Sequence, residues 1–162
     1  LTLQDDDPYL DDRTPLHPAN AVVAILLTPD LRYILQQRDR KRGIFFPGHW
    51  GCFGGAVEPE DATPETTLAR ELHEELNVDL SAARVSYFTN YTFDLSFCGV
   101  GQIYRMYYEV RLGETAIENL KLGEGSAFQS FSFRDVIARP DLVPYDTFAL
   151  WMHGSRSRLG PA

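Results

Sequence analysis

The chemistry of this 162-residue chain is concentrated in Arg70-Glu71-Leu72-His73-Glu74-Glu75-Leu76. Glu71, Glu74 and Glu75 are related by steps of three and four, which on a helix places them within a single arc of roughly 100°. Ala69, Leu68, Leu72 and Leu76 fill the adjacent arc and must face a core. Three carboxylates therefore stand beside a buried stripe. Like charges at this spacing repel by roughly 0.2–0.5 kcal/mol per exposed pair, and by more where water is excluded. A divalent cation relieves that repulsion, and oxygen-only ligands select a hard ion, magnesium or manganese. An acidic helix alone is more often a solvated face. Here Gly54-Gly55-Ala56-Val57-Glu58 precedes it, and glycines let a backbone approach an ion or a phosphate closely. Gly54 and Gly55 are thus candidates for that contact.

At these residues the chain resembles the Nudix (MutT-like) hydrolase family, whose box reads G-x5-E-x7-R-E-U-x-E-E-x-G-U, with U a bulky apolar residue. The second half stands here as Arg70-Glu71-Leu72-His73-Glu74-Glu75-Leu76-Asn77-Val78, with Asn77 in place of Gly. The first half is one residue longer than the pattern, and either Glu60 or Asp61 takes the place of its first Glu. Leu35-Gln36-Gln37-Arg38, Trp50-Gly51-Cys52-Phe53-Gly54-Gly55 and Leu122-Gly123-Glu124-Gly125 extend the likeness over about residues 20–150.

The resemblance implies an α/β/α sandwich with a mixed sheet, and hydrolysis of a nucleoside diphosphate linked to another moiety. It implies that Glu71, Glu74, Glu75 and the Gly54 carbonyl hold magnesium, with manganese as a substitute, and that Arg70 orients a carboxylate by a salt bridge. It places Arg38 against substrate phosphate, and Glu124 as an additional metal ligand or the base. Glu71 and Glu124 are the two candidates to accept the proton of an attacking water. Asp146 lies where some nucleotide-specific relatives carry a base-reading polar residue; the competing role is a helix N-cap.

These groups need elements to hold them. Thr63-Pro64-Glu65 is a helix start, with Thr63 able to cap, Pro64 suited to the first helical position and Glu65 favouring the positive end of the dipole. The helix runs to Leu76, where Asn77 can turn left-handed. Ala21–Leu27 is a continuous apolar run, hence a strand buried on both faces, and Leu31–Gln37 is its hairpin partner. Val85, Tyr87, Thr89, Tyr91, Phe93, Leu95 and Phe97 alternate as one long strand with a single apolar face, paired through a turn at residues 98–101 with a second strand from Tyr104 to Leu112. Phe128–Phe133 is a short strand, Arg134–Ala138 a short helix and Pro144–His153 the last helix. Hairpins outnumber β-α-β crossovers, so the class is α/β in the α+β sense, a mixed sheet flanked by helices.

The domain is expected over 19–154, with an acidic, proline-containing arm at 1–18 and a loose tail at 155–162. A 44% hydrophobic and 12% aromatic composition is that of a globular chain. The net charge of −8 argues against a stable nucleic-acid partner. Cys52 and Cys98 lack a zinc spacing and read as free thiols of a reducing, cytoplasmic compartment. There is no apolar run long enough for a membrane span. The expected partner is a small nucleotide-like diphosphate, and a homodimer is compatible with the sequence.

Of the remaining residues, His73 lies off the acidic arc, and Tyr91, Phe93, Tyr104 and Tyr107 read as core more readily than as base-stacking groups. Arg40, Lys41 and Arg42 are either a solvated turn or a phosphate-collecting lip. A domain of the same type that senses a nucleotide without cutting it is the alternative function, and an isoprenoid diphosphate isomerase of related fold ranks below both.

Overall fold

A computed structural model describes residues 12–160. Most of the expected acidic arm, including Asp5, Asp6, Asp7 and Asp11, lies outside the described residues, as do 161–162 of the tail.

A seven-stranded mixed sheet runs in the order β3-β2-β1-β6-β5, with β4 paired to β1 and β7 to β2. Its strands are β1 (Ala21–Leu27), β2 (Tyr33–Gln37), β3 (Trp50–Gly51), β4 (Phe53–Ala56), β5 (Arg84–Asp94), β6 (Gln102–Arg111) and β7 (Ala127–Phe131). The helices are α1 (Pro64–Leu76), α2 (Glu114–Glu118), α3 (Phe133–Ala138) and α4 (Pro144–Gly154). α2 has no counterpart in the sequence reading. All seven residues of β1 are buried, as its unbroken apolar run requires. Val23, Ile25 and Leu27 face the core under α3 and α4, whereas Val22, Ala24 and Leu26 face the core under α1.

β1 pairs with β6 in parallel along its whole length. Along its other edge it is shared: Leu26 and Leu27 pair with β2, and Ala21 to Ala24 pair with β4. The sheet therefore forks between β2 and β4, and the fork opens beneath the C-terminal half of α1.

Three expectations are corrected. The first is the single apolar face of the β5 strand. The β5–β6 register shifts between Tyr87 and Thr89, and one extra residue reverses every side chain beyond it. Val85 packs on the α1 side, while Phe88 and Tyr91 pack on the α4 side. The second is the strand's end: β5 stops at Asp94, Ser96–Cys98 form a 3-10 turn, and Phe97 is 85% exposed. Similarly, β2 begins at Tyr33 because Leu31 adopts a left-handed conformation in the preceding turn.

Candidate active site

α1 is built as its ends dictate. Thr63 has extended backbone and its side chain accepts a hydrogen bond from the Thr66 N–H at 3.2 Å, Pro64 occupies the first turn, and Asn77 closes the helix at φ 57°. Leu68, Leu72 and Leu76 are fully buried. This fixes the helix rotation and grades the three carboxylates by depth. Glu74 is exposed, Glu71 is mostly covered, and Glu75 is 6% exposed.

Glu75 lies in the fork of the sheet. One carboxylate oxygen accepts the Gly54 N–H at 2.7 Å, and the other accepts from Gln36 Nε2 at 3.2 Å. Burial dominates nonetheless and pushes its pKa up to about 7, with Glu71 and Glu124 adding to the rise. Glu71 is also raised, first by burial and further by Glu74 and Glu124, against the pull of Arg70. Gly55 lets Glu71 lie against the backbone, since a Cβ there would meet its carboxylate at 2.5 Å. Gly54 has φ 125°, and its Cβ would collide with the Val22 carbonyl.

Arg70 organises the neighbouring acids. Nη1 donates to Glu71 at 2.7 Å, Nη2 to Asp61 at 2.8 Å and to the Ala56 carbonyl at 3.0 Å, and Nε to the other Asp61 oxygen at 3.3 Å. Glu58 and Glu74 stand 3.7 and 3.6 Å from Nη1. Of the two acids open to the box's first position, Asp61 makes the contact, and Glu60 is exposed in the turn. The Arg70 guanidinium beside it holds the Asp61 carboxyl far below the usual range.

Glu124 approaches from the loop before β7. The Gly123 N–H donates to the Glu75 carbonyl at 2.7 Å and the Lys121 N–H to the Leu76 carbonyl at 3.1 Å, so the loop caps the end of α1. The two flanking glycines serve close packing. A Cβ on Gly123 would strike the Glu74 carbonyl, and one on Gly125, at φ 86°, would stand 3.0 Å from the Gln37 carbonyl. Glu124 itself is exposed, near enough to raise both Glu71 and Glu75.

Among the described residues no three acidic, His or Cys side chains form a preformed metal cage. The fit to a hard divalent ion is one of charge and donor type. Two carboxylates that burial makes reluctant to ionise lie beside two exposed ones, and every donor is oxygen. A cation would stabilise the ionised form of each, and the donor set therefore suits magnesium or manganese.

The remaining candidates lie on the other side of the fork. Arg38 is half-buried at the end of β2, with Nε donating to the Phe45 carbonyl at 2.7 Å. Asp146 does not fill the competing role of helix cap. α4 has no side-chain cap, and the Asp146 carboxylate is 1% exposed. It accepts the Cys52 N–H at 2.9 Å, the Tyr107 hydroxyl at 2.7 Å and Arg105 Nη2 at 3.2 Å. A Cβ on Gly51 would stand 2.8 Å from it. Its carboxylate is thus held by three partners inside the protein.

Sequence reasoning passed over the roles of Gln36, Arg105 and Glu109, the last of which pairs with His153. Gln36 carried a signal, a polar residue at an inward position of β2, and so did Arg105, a cation two residues from Tyr107 on a strand of buried aromatics. His153 bonds Tyr33 at 2.9 Å and Glu109 at 2.7 Å, at the opposite end of β1 from the carboxylates. The hollow beside it is not part of the site. Cys52 and Cys98 are both free thiols, and among the described residues no helix is long and apolar enough to cross a membrane.

A family model described as the NUDIX domain matches residues 17–150. Nucleoside triphosphatase NudI of Escherichia fergusonii is 29% identical over 129 residues, 77% of this chain and 86% of the relative. Its Escherichia coli K12 counterpart is 28% identical over 127 residues, with the same coverage. The fold is similar to that of a MutT protein from Methanosarcina mazei Go1, with a TM-score of 0.68 at 17% identity over 91% of this chain and 99% of the other. It is also similar to a C. elegans Ap4A hydrolase, with a TM-score of 0.65 at 15% identity over 88% and 100% of the two chains. The match of the family model across most of the chain, on a mixed sheet with α1 against its fork, shows that this protein belongs to the Nudix (MutT-like) hydrolase family.

Proposed function

We propose that this hydrolase cleaves a diphosphate linkage in a nucleoside diphosphate joined to another moiety, with magnesium, or manganese in its place, as cofactor. The observation that carries the reading is Glu75: a carboxylate buried in the fork of the sheet, crowded by Glu71 and Glu124, beside a glycine pair that lets the Glu71 carboxylate and the β1 backbone pack close. The names of the NudI relatives, nucleoside triphosphatases, support the substrate class.

Glu71, Glu74, Glu75 and the Gly54 carbonyl would hold the metal, with Glu124 as a further ligand or the base. When bound, a hard divalent cation neutralises charge on phosphoryl oxygens and acidifies a water. Arg70 keeps Glu71 turned toward the glycine pair through its 2.7 Å bond. Because Glu71 is engaged by Arg70, Glu124 is the freer carboxylate and the one assigned to accept the proton of the attacking water. Arg38, whose Nε is tied to the loop at Phe45, presents the rest of its guanidinium to a phosphate.

The test is turnover of a panel of nucleoside triphosphates, dinucleoside polyphosphates and nucleotide sugars with magnesium, with the products separated by chromatography. Metal-dependent release of a nucleoside mono- or diphosphate is expected. Saturable nucleotide binding without turnover in magnesium or manganese would instead make the domain a sensor.

A further inference from the structure

The polar cluster across the fork has an unspent donor. Arg105 gives Nε and Nη2 to Asp146 and Nε also to the Tyr107 hydroxyl. Its Nη1 bonds to no described residue, and 17% of the side chain remains exposed. The guanidinium lies over the Tyr145 ring at 4.1 Å, and Phe46 meets that ring edge-on at 5.6 Å. Across the β5–β6 ladder Arg105 faces Tyr91, whose hydroxyl is buried without a partner among the described residues. Tyr91 in turn stacks on Phe148, which is half exposed.

This place communicates with the acids of α1 through three hydrogen bonds. Asp146 accepts the Cys52 N–H, the Cys52 carbonyl accepts Gln36 Nε2, and the same Gln36 nitrogen donates to Glu75. A group seated against Arg105 thus lies one residue of backbone and two side chains from Glu75, within the span of a nucleotide whose phosphates reach the carboxylates.

What the seat selects follows from its charge. Asp146 already neutralises Arg105, so a full anion gains little there. A neutral acceptor gains a directional bond to Nη1, and the aromatic rings around it suit a flat partner. We propose that Arg105, held by Asp146 and Tyr145, is a specificity-determining residue of this hydrolase that reads a ring carbonyl on the nucleobase of the substrate. The inference rests on the nucleotide reading above and adds which edge of the base is read. A ring amino group in the same position would bring donor against donor.

Two nucleotide pairs differ along that edge: ITP against ATP, and UTP against CTP, each exchanging a carbonyl and its neighbouring ring N–H for an amine and a ring-nitrogen acceptor. Calorimetric titration without divalent metal and kcat/KM with magnesium are both measured on the full chain. The native enzyme should favour the carbonyl member of at least one pair about tenfold, mostly through KM and Kd. Arg105→Gln combined with Asp146→Asn, which removes both charges together, should bring that ratio to within about twofold of unity. Should the double variant not fold, Arg105→Lys keeps a charge beside Asp146 but loses the planar fork that presents Nη1, and should lower the ratio at least about threefold, an unchanged ratio overturning the proposal. A native ratio near unity in both pairs, or a preference unchanged in the double variant, overturns the proposal and leaves the hydrolase reading standing. A binding preference without turnover keeps the Arg105 seat and removes the hydrolase reading. Neither binding nor turnover of any of the four overturns both.

Discussion

Asp61 meets Arg70 fork to fork, with both carboxylate oxygens on two guanidinium nitrogens at 2.8 and 3.3 Å. Asp61 is itself fixed by the Thr67 hydroxyl at 2.9 Å and the Glu58 N–H at 3.0 Å. The turn before α1 is thereby latched to the helix's second turn, and the nitrogen left over, Nη1, reaches Glu71.

Lysine carries the charge of Arg70 without its planar fork. Arg70→Lys should lower turnover about ten- to a hundredfold and the melting temperature by several degrees, read by product assay and thermal melt. Free substitution by lysine would reduce Arg70 to a surface charge.

The latch also sets an acid limb. The folded-state pKa of Asp61 lies below its ordinary 3.8, so between the two values the unfolded chain binds more protons than the folded one. The contribution is complete above the ordinary aspartate range and disappears as pH falls through the folded value. Urea midpoints measured from pH 5 down to pH 2 should fall less steeply for Asp61→Asn than for the native protein.

Glu75 works in the opposite sense. Its pKa rises from 4.5 to about 7 on folding, so without metal the folded state holds the extra proton. That stability is complete below pH 4.5 and is lost as pH rises through 7, by on the order of 3 kcal/mol. Metal-free Glu75→Gln should therefore melt higher than the native protein at pH 8, yet lose most activity. Millimolar magnesium should raise the melting temperature of the native protein and not that of the variant. Near-normal turnover of the variant in saturating magnesium would sink the assignment of Glu75 as a metal ligand.

Glu124→Gln should cut turnover by at least about a hundredfold with little change in KM, the usual loss for a positioned base. A drop under threefold passes the role to Glu71. Gly123→Ala makes a complementary test. Its methyl collides with the Glu74 carbonyl, so the loop must withdraw, and turnover should fall although every acidic side chain remains.

The elements around the site were legible because each has a local cause. Thr63-Pro64 starts α1, Asn77 ends it, and the leucine stripe at 68, 72 and 76 fixes its rotation. The unbroken apolar run of β1 announced a strand covered on both faces. The bulge in β5 was not legible, since nothing in Tyr87-Phe88-Thr89 distinguishes an extra residue from regular alternation, and the register is decided by which helix each ring can pack against. The depth of Glu75 was hidden for a related reason: helical spacing gives an angle, but the sheet's fork determines how far that angle is buried. The fates of Asp146 and Arg105 depend on a contact between residues about forty apart in sequence, and no local pattern encodes it. The glycines beside Glu124 suggest freedom when read alone, but tight packing once their neighbours are known.

That packing bears on time as well as place. The amides of Lys121 and Gly123 are bonded to the last carbonyls of α1, so they cannot open without uncapping the helix that carries the acids. In deuterated water these two amides should exchange together with those of the C-terminal turn of α1, more slowly than an ordinary surface loop. The motion that admits substrate must then be found elsewhere, in side chains or in the turn between Arg40 and Gly48.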